Sequence, residues 1–290
     1  MKIEIDGANI FYKMVGPEQN YPLFLLHGGP GMDHTYMHPW LDMLSDTFRL
    51  IYVDQRGQGR SDRVDPATVT LPRLAEDVTQ LAKALGIDDY AVLGHSYGAF
   101  VALAHALEQN TASHYIISNG SASMSKSMRE VNENLAAFKP IELRDQVTES
   151  WAREPLARTQ EDAAEILRMQ MPFHFARVES EAYRTYTAEA DRAVYSPDVL
   201  AYAASNEYHM EFEDRLHSID KPILFITGEL DRTTTPRAAR EMHAAVPHSE
   251  LVIVPQAGHM AFVEERDLYS EAVRSFYGRN PAKTHEQTRS

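Results

Sequence analysis

The chain has 290 residues, 43% of them apolar and 24% charged, with a formal net charge of -14 and no cysteine. The length suits one large domain or a core carrying an insert, and the lack of cysteine excludes disulfides, thiolate metal sites and a cysteine nucleophile. The acidic balance, with no cluster of Lys or Arg, argues against a nucleic-acid partner. No run approaches the roughly 20 apolar residues of a membrane span, and the charge-alternating start at Met1–Asp6 is unlike a secretory signal, so a soluble cytoplasmic protein is expected.

In chain order, Lys2–Asp6 and Asn9–Val15 read as a hairpin turned at Asp6-Gly7, followed by buried strands at Pro22–Leu26 and Arg49–Val53. A helix follows, with Pro72 in its first turn, Leu74, Val78, Leu81 and Leu85 as its apolar stripe, and Gly86 as its stop. Then come strand Tyr90–Leu93, helix Tyr97–Gln109 and strand His114–Ser118. After a long gap follow strand Pro222–Thr227, helix Pro236–Ala245, strand Glu250–Val254 and helix Glu264–Tyr277. Alternating strands and helices imply an α/β architecture, a mostly parallel eight-stranded sheet with a short antiparallel start. The strand signal stops between about Ser121 and Glu213, where Thr159-Gln160-Glu161-Asp162 reads as a capping box opening a helix that Pro172 ends. Residues 1–120 and 214–278 therefore form a core and 121–213 a helical insert. The polar tail 279–290 is expected to fray.

The sharpest chemical signal is Gly94-His95-Ser96-Tyr97-Gly98, a G-x-S-x-G directly after a strand and before a helix. Such a turn lifts the Ser96 hydroxyl clear of the sheet. A serine needs an imidazole base, and the imidazole an acid to orient it. His259 follows the last strand by a short loop and Asp231 follows strand Pro222–Thr227, so both fall at the carboxyl edge that Ser96 occupies; Glu229 is the rival acid. An attacked carbonyl also needs two N–H donors. Tyr97, after the nucleophile, supplies one, and Gly29 in the loop His27-Gly28-Gly29-Pro30-Gly31 supplies the other, with Gly28 as the alternative. His27 reads as a residue that fixes this loop. No metal or cofactor is called for.

With His27-Gly28-Gly29-Pro30-Gly31, Asp54-Gln55-Arg56-Gly57-Gln58-Gly59-Arg60-Ser61, the elbow at Ser96, Gly228 through Pro236 and Gly258-His259, the chain resembles the α/β-hydrolase fold, and within it the proline iminopeptidase-like serine peptidases. The resemblance implies a Ser96, Asp231, His259 triad, an oxyanion hole at Gly29 and Tyr97, and a cap role for the insert. It reads Asp54 and Arg56 as structural. It also implies hydrolysis of a small-molecule or short-peptide substrate. The family's elbow is typically G-G-S-W-G-G, whereas this chain has Gly94-His95-Ser96-Tyr97-Gly98-Ala99. Substrate therefore stays open between an amide or peptide with a free N-terminus, proline favoured, and an ester or acyl lactone.

An aminopeptidase must hold a substrate ammonium, and a cap carboxylate does this. Glu207 resembles such a cap glutamate, and the family's Trp/Glu-rich cap motif is echoed by Trp151 and Glu154. Tyr208 and Phe173, with Phe175, are candidates for an apolar pocket around a proline ring or acyl chain. Oligomeric state is not legible.

Overall fold

Alternate residues of one strand point to opposite sides of a sheet, and here both sides are apolar. Phe24, Leu26, Ile51 and Val92 join one buried cluster, while Leu23, Leu25, Leu50, Ala91 and Leu93 join another. That is the pattern of a parallel sheet covered by helices on both faces. The structure, a computed structural model, describes residues 1–206 and 210–281.

The strands are β1 (Lys2–Ile5), β2 (Ala8–Val15), β3 (Tyr21–Leu26), β4 (Phe48–Asp54), β5 (Ala91–His95), β6 (His114–Ser118), β7 (Ile223–Gly228) and β8 (Glu250–Val254). Their order across the sheet is β1-β2-β4-β3-β5-β6-β7-β8. The pairs β1/β2 and β2/β4 are antiparallel and every later pair is parallel. The β1–β2 hairpin turns on Asp6 (φ 45°) and Gly7 (φ 78°), the double positive φ of a type I′ turn.

The core helices are α1 (Leu71–Ala84), α2 (Tyr97–Ala104), α8 (Pro236–Ala245), α9 (Ala261–Glu264) and α10 (Arg266–Arg279), and the insert carries α3 (Met124–Ala137), α4 (Ile141–Arg153), α5 (Gln160–His174), α6 (Glu181–Ala188) and α7 (Pro197–Ser205). Helix α1 buries Leu74, Val78 and Leu81 beneath an N-cap at Thr70. The insert leaves and rejoins the core at one place, where the Phe212 N–H donates to the Ala122 carbonyl at 2.7 Å and the Met124 N–H to the Met210 carbonyl at 3.0 Å.

Two expectations change. Thr159 and Asp162 do form a capping box, but α5 runs past Pro172 to His174. A proline inside a helix loses one hydrogen bond and crowds the preceding turn; here the next residues are held from outside by Arg232, Glu264 and His259, and tertiary contact overrides the breaker. The second change is in α2, which does not continue as one α-helix to Gln109. Its last turn, His105–Gln109, is a π-helix, with Asn110 at φ 50°. The tail expected to fray lies, from residue 282 on, outside the described residues. Among the described residues no helix is long and apolar enough to cross a membrane.

Candidate active site

Ser96 follows the last residue of β5 and caps α2 at φ 54° and ψ -118°, a conformation that L side chains rarely adopt. What allows the turn is bare backbone beside it. A Cβ on Gly94 would stand 2.0 Å from the Gly98 carbonyl oxygen, and one on Gly98 would stand 2.1 Å from the Leu26 carbonyl oxygen. Strand, turn and helix thus meet at contact distance, and any side chain at either glycine would force the elbow open.

The same close approach seats the loop after β3. Leu26 pairs with Gly94 across the sheet, so Gly28 and Gly29 leave it beside the first turn of α2, whose N–H groups point out of the helix start. Gly29 has φ +123°, and a Cβ there would lie 3.1 Å from the Gly31 nitrogen. His27 holds the loop from below. Its Nδ1–H donates to the Gly28 carbonyl at 2.8 Å, its Nε2 accepts the Gln55 N–H at 3.2 Å, and the Gln55 amide donates to the His27 carbonyl at 2.9 Å.

The neighbouring charges are bracing. Arg56 is bidentate to Asp77, both bonds 2.7 Å, and donates to the Ile5 carbonyl at 2.7 Å. Asp54 accepts from the main chain and ring of His34 and from the Arg60 N–H, each at 2.7 Å. Asp33 takes Arg60, Thr35 and the Val194 N–H. Asp33, His34 and Asp54 cluster closely, yet both carboxylates are already occupied by protein donors.

Asp231 and His259, on the loops after β7 and β8, are brought together: His259 Nδ1 lies 2.9 Å from Asp231 Oδ2. The carboxylate also accepts from Asn119 Nδ2 (2.8 Å), the Thr233 N–H (2.8 Å) and hydroxyl (2.7 Å), and the Thr234 hydroxyl (2.9 Å). Burial alone pushes an acid up, but His259, Asn119 and Thr233 outweigh it and hold the Asp231 carboxyl well below the usual range. A buried, fully bonded carboxylate fixes the Nδ1–H tautomer of His259 and leaves Nε2 for chemistry. Glu229 instead accepts from the Gln256 N–H at an exposed turn.

Ser96 is tied to the His259 loop through its neighbour. His95 Nε2 is 2.8 Å from the His259 carbonyl oxygen, and the two rings meet edge to face with centroids 4.9 Å apart. On its other side the His259 ring faces His174 of the insert, 5.2 Å between centroids. The His259 N–H donates to the His174 carbonyl at 2.8 Å. Burial, then the proximity of His259, lowers His174 to about 3, so this ring is neutral.

The insert is clamped to both loops here. Arg232, directly after Asp231, donates to the Phe175 carbonyl at 2.7 Å. The Glu264 carboxylate accepts the N–H of Gly258 and the N–H of Ala176, each at 2.7 Å.

Of the expected substrate contacts, Phe173 is placed elsewhere. It is 1% exposed in the insert's own apolar cluster, edge to face with Phe138 and Trp151, because its ring completes that small core. It is core rather than pocket wall. Glu207 and Tyr208 lie outside the described residues. Glu154 is a half-buried carboxylate partnered by Gln170 at 2.5 Å, and its partial burial, opposed by that bond, raises it to about 7. Gln170 stands four residues before His174 on α5 and so on the same helix face. A narrow gap between the loop after β3 and the insert is lined by Met32, Tyr36, Trp40, Met171, Tyr186 and Tyr195. A cavity of about 460 Å³ opens between Ser121, Lys126, Glu213 and Arg237; Ser96, Asp231 and His259 do not line it.

No motif in the sequence marks Asn119, Thr233, Thr234, Arg232, Glu264 or His174. The threonines were the most accessible of these, since Asp231-Arg232-Thr233-Thr234 packs hydroxyl donors directly behind an acid, in reach of its carboxylate.

A family model described as alpha/beta hydrolase fold matches residues 21–266. The proline iminopeptidase of Saccharolobus solfataricus is 30% identical over 287 residues, covering 94% of this chain and 90% of that one. Among solved structures, the proline iminopeptidase of Mycobacterium smegmatis superposes with a TM-score of 0.74 at 23% identity, covering 97% of this chain and 98% of its own. A thermophilic esterase from Thermogutta terrifontis gives a TM-score of 0.74 at 22% identity, over 97% and 99%. These two likenesses concern the fold.

Proposed function

The chain belongs to the alpha/beta hydrolase fold family, as a proline iminopeptidase-like member, and from that premise we propose that it is a serine hydrolase releasing an N-terminal residue, proline favoured, from short peptides or amides. The observation that carries the reading is the hydrogen-bonded pair of His259 and Asp231, with the His259 carbonyl 2.8 Å from the ring of His95, the residue directly before Ser96.

In this mechanism Ser96 Oγ attacks the substrate carbonyl carbon while His259 Nε2 takes the hydroxyl proton, and Asp231 stabilises the imidazolium that results. The carbonyl oxygen becomes an oxyanion between the N–H groups of Gly29 and Tyr97. The tetrahedral adduct expels the amine, which leaves with the proton from His259. A water then gives its proton to His259, adds to the acyl-enzyme and releases the acid, and the proton returns to Ser96 Oγ. The insert, clamped over the base by Arg232 and Glu264, limits bulk water at this step.

The free amino group needs an anion. Glu207 is the candidate from sequence, and Glu154 supports the same reading, because a half-buried carboxylate bonded, among the described residues, to the neutral Gln170 gains by receiving an ammonium. One observation favours a second reading, an esterase or lactonase: the aromatic gap of Tyr36, Trp40, Tyr186 and Tyr195 suits an acyl chain as well as a proline ring.

A single panel tests both, comparing Pro-arylamide, other aminoacyl-arylamides with free and blocked amines, short-chain esters and acyl lactones. The expected result is a preference for arylamides with a free amine, lost on blocking; a preference for esters or lactones overturns the peptidase reading. Loss of all turnover in Ser96→Ala is expected, and activity near wild type removes the triad assignment.

A further inference from the structure

The residue in the first variable position of the G-x-S-x-G turn is a histidine with no exposed surface, and the hydrolytic mechanism above gives it no task. Each of its ring nitrogens has a partner. His95 Nε2 lies 2.8 Å from the main-chain carbonyl oxygen of His259. A carbonyl only accepts, so Nε2 carries the proton. Burial, then the neighbouring His259, keeps the ring far below ordinary histidine and hence neutral, which makes Nδ1 an acceptor. Tyr36 Oη stands 3.1 Å from that Nδ1, and burial together with Asp231 keeps the phenol protonated. The Tyr36 hydroxyl has a second acceptor in reach, Met260 Sδ at 3.3 Å, but a thioether accepts only weakly, so the chain of donation runs from the Tyr36 hydroxyl to His95 Nδ1 at 3.1 Å, and from His95 Nε2–H to the His259 carbonyl.

The His259 main chain is thereby held at both of its polar groups, its carbonyl by the ring of His95 and its N–H by the carbonyl of His174. The His95 ring also packs edge to face on His259 and on Phe262, each with centroids 4.9 Å apart. A loop that carries a catalytic base through only a short run after β8 needs such a mount, since an imidazole displaced by an ångström loses its line to the serine.

Resting on the triad reading above, we propose that His95 is a positioning residue for the general base: its Nε2–H, oriented by Tyr36, fixes the His259 loop from the nucleophile's own turn, so that nucleophile and base share one rigid support.

The test compares Ser96→Ala, His95→Leu, His95→Gln and Tyr36→Phe on whichever panel substrate the wild type turns over. Rates are taken per active site, counted by stoichiometric labelling with a fluorophosphonate, and for Ser96→Ala, which lacks the labelled hydroxyl, per folded protein. His95→Leu is expected to lower kcat by about 10- to 100-fold, as a misplaced base does. KM should stay within about threefold, because ground-state binding is untouched. His95→Gln, whose Nε2–H reaches the same carbonyl, is expected to recover most of the loss, and Tyr36→Phe to fall between. If His95→Leu does not fold, Tyr36→Phe and the ring tautomer still decide: nitrogen NMR should show His95 protonated on Nε2. A kcat for His95→Leu within twofold of wild type, a loss in His95→Gln as large as in His95→Leu, or an Nδ1–H tautomer overturns the proposal. An active Ser96→Ala protein would instead strike the triad itself, so the two failures are told apart.

Discussion

The carbonyl of His174 accepts the main-chain N–H of His259 at 2.8 Å, and the two rings lie 5.2 Å apart between centroids. One belongs to the helical insert and the other to the loop after the last strand, so the insert helps to hold the His259 loop.

Asp231 is expected to act through its charge and its acceptor geometry. Asp231→Asn would turn an amide N–H or a single carbonyl toward His259 Nδ1 and lose control of the tautomer. A fall in kcat of about 10³- to 10⁴-fold is expected, with the fold retained. Steady-state rates alongside circular dichroism check this.

Glu264 joins the loop before His259 to the insert through two main-chain N–H groups. In Glu264→Gln only the amide oxygen still accepts, so one N–H is left facing a donor, at a cost of about 1 to 3 kcal/mol. Hydrogen exchange should quicken at the Ala176 and Gly258 amides, and kcat should fall. Unchanged protection at both amides would show the clamp to be inert.

Glu154 makes stability depend on pH in a definite sense. Its carboxyl is raised from 4.5 to about 7, so the folded protein holds this proton more tightly than the unfolded chain. Its contribution is therefore fully present below pH 4.5 and is lost as pH rises through 7. Glu154→Gln should stabilise the protein above pH 7, by no more than about 3 kcal/mol, and change little near pH 4. On substrates with a free amine, the same variant should raise KM at pH 8 more than at pH 6. Denaturant titrations and KM measured at both pH values check these outcomes.

Buried neutral histidines act in the opposite sense. Burial lowers His105 from 6.5 to about 4, so the unfolded chain takes up this proton first and stability drops as pH falls from 6.5 toward 4. His105 bonds to Tyr115 and Thr79 away from the proposed site. His105→Gln should remove about 1.4 kcal/mol per pH unit from that slope, read by unfolding at pH 6.5 and 4.5, while leaving the kcat profile in place.

The strands, the helices of the core and the loops that meet at one sheet edge were legible in the sequence, whereas of the insert's helices only α5 was. These features are local: strand β8 and helix α8 follow from apolar runs bounded by turn residues, and the capping box at Thr159 from four adjacent residues. The triad candidates were legible for the same reason, since in an alternating α/β chain a residue just past a strand falls at the carboxyl edge. The rest depends on neighbours distant in the chain. Pro172 stays helical because Arg232, Glu264 and His259 hold the residues beyond it. Phe173 turns into the insert's core because Phe138 and Trp151 stand there. His95 became significant only when the His259 carbonyl and the Tyr36 hydroxyl arrived from 164 and 59 residues away, because a side chain's hydrogen-bond partners, unlike its periodicity, are set by which loops the fold brings together.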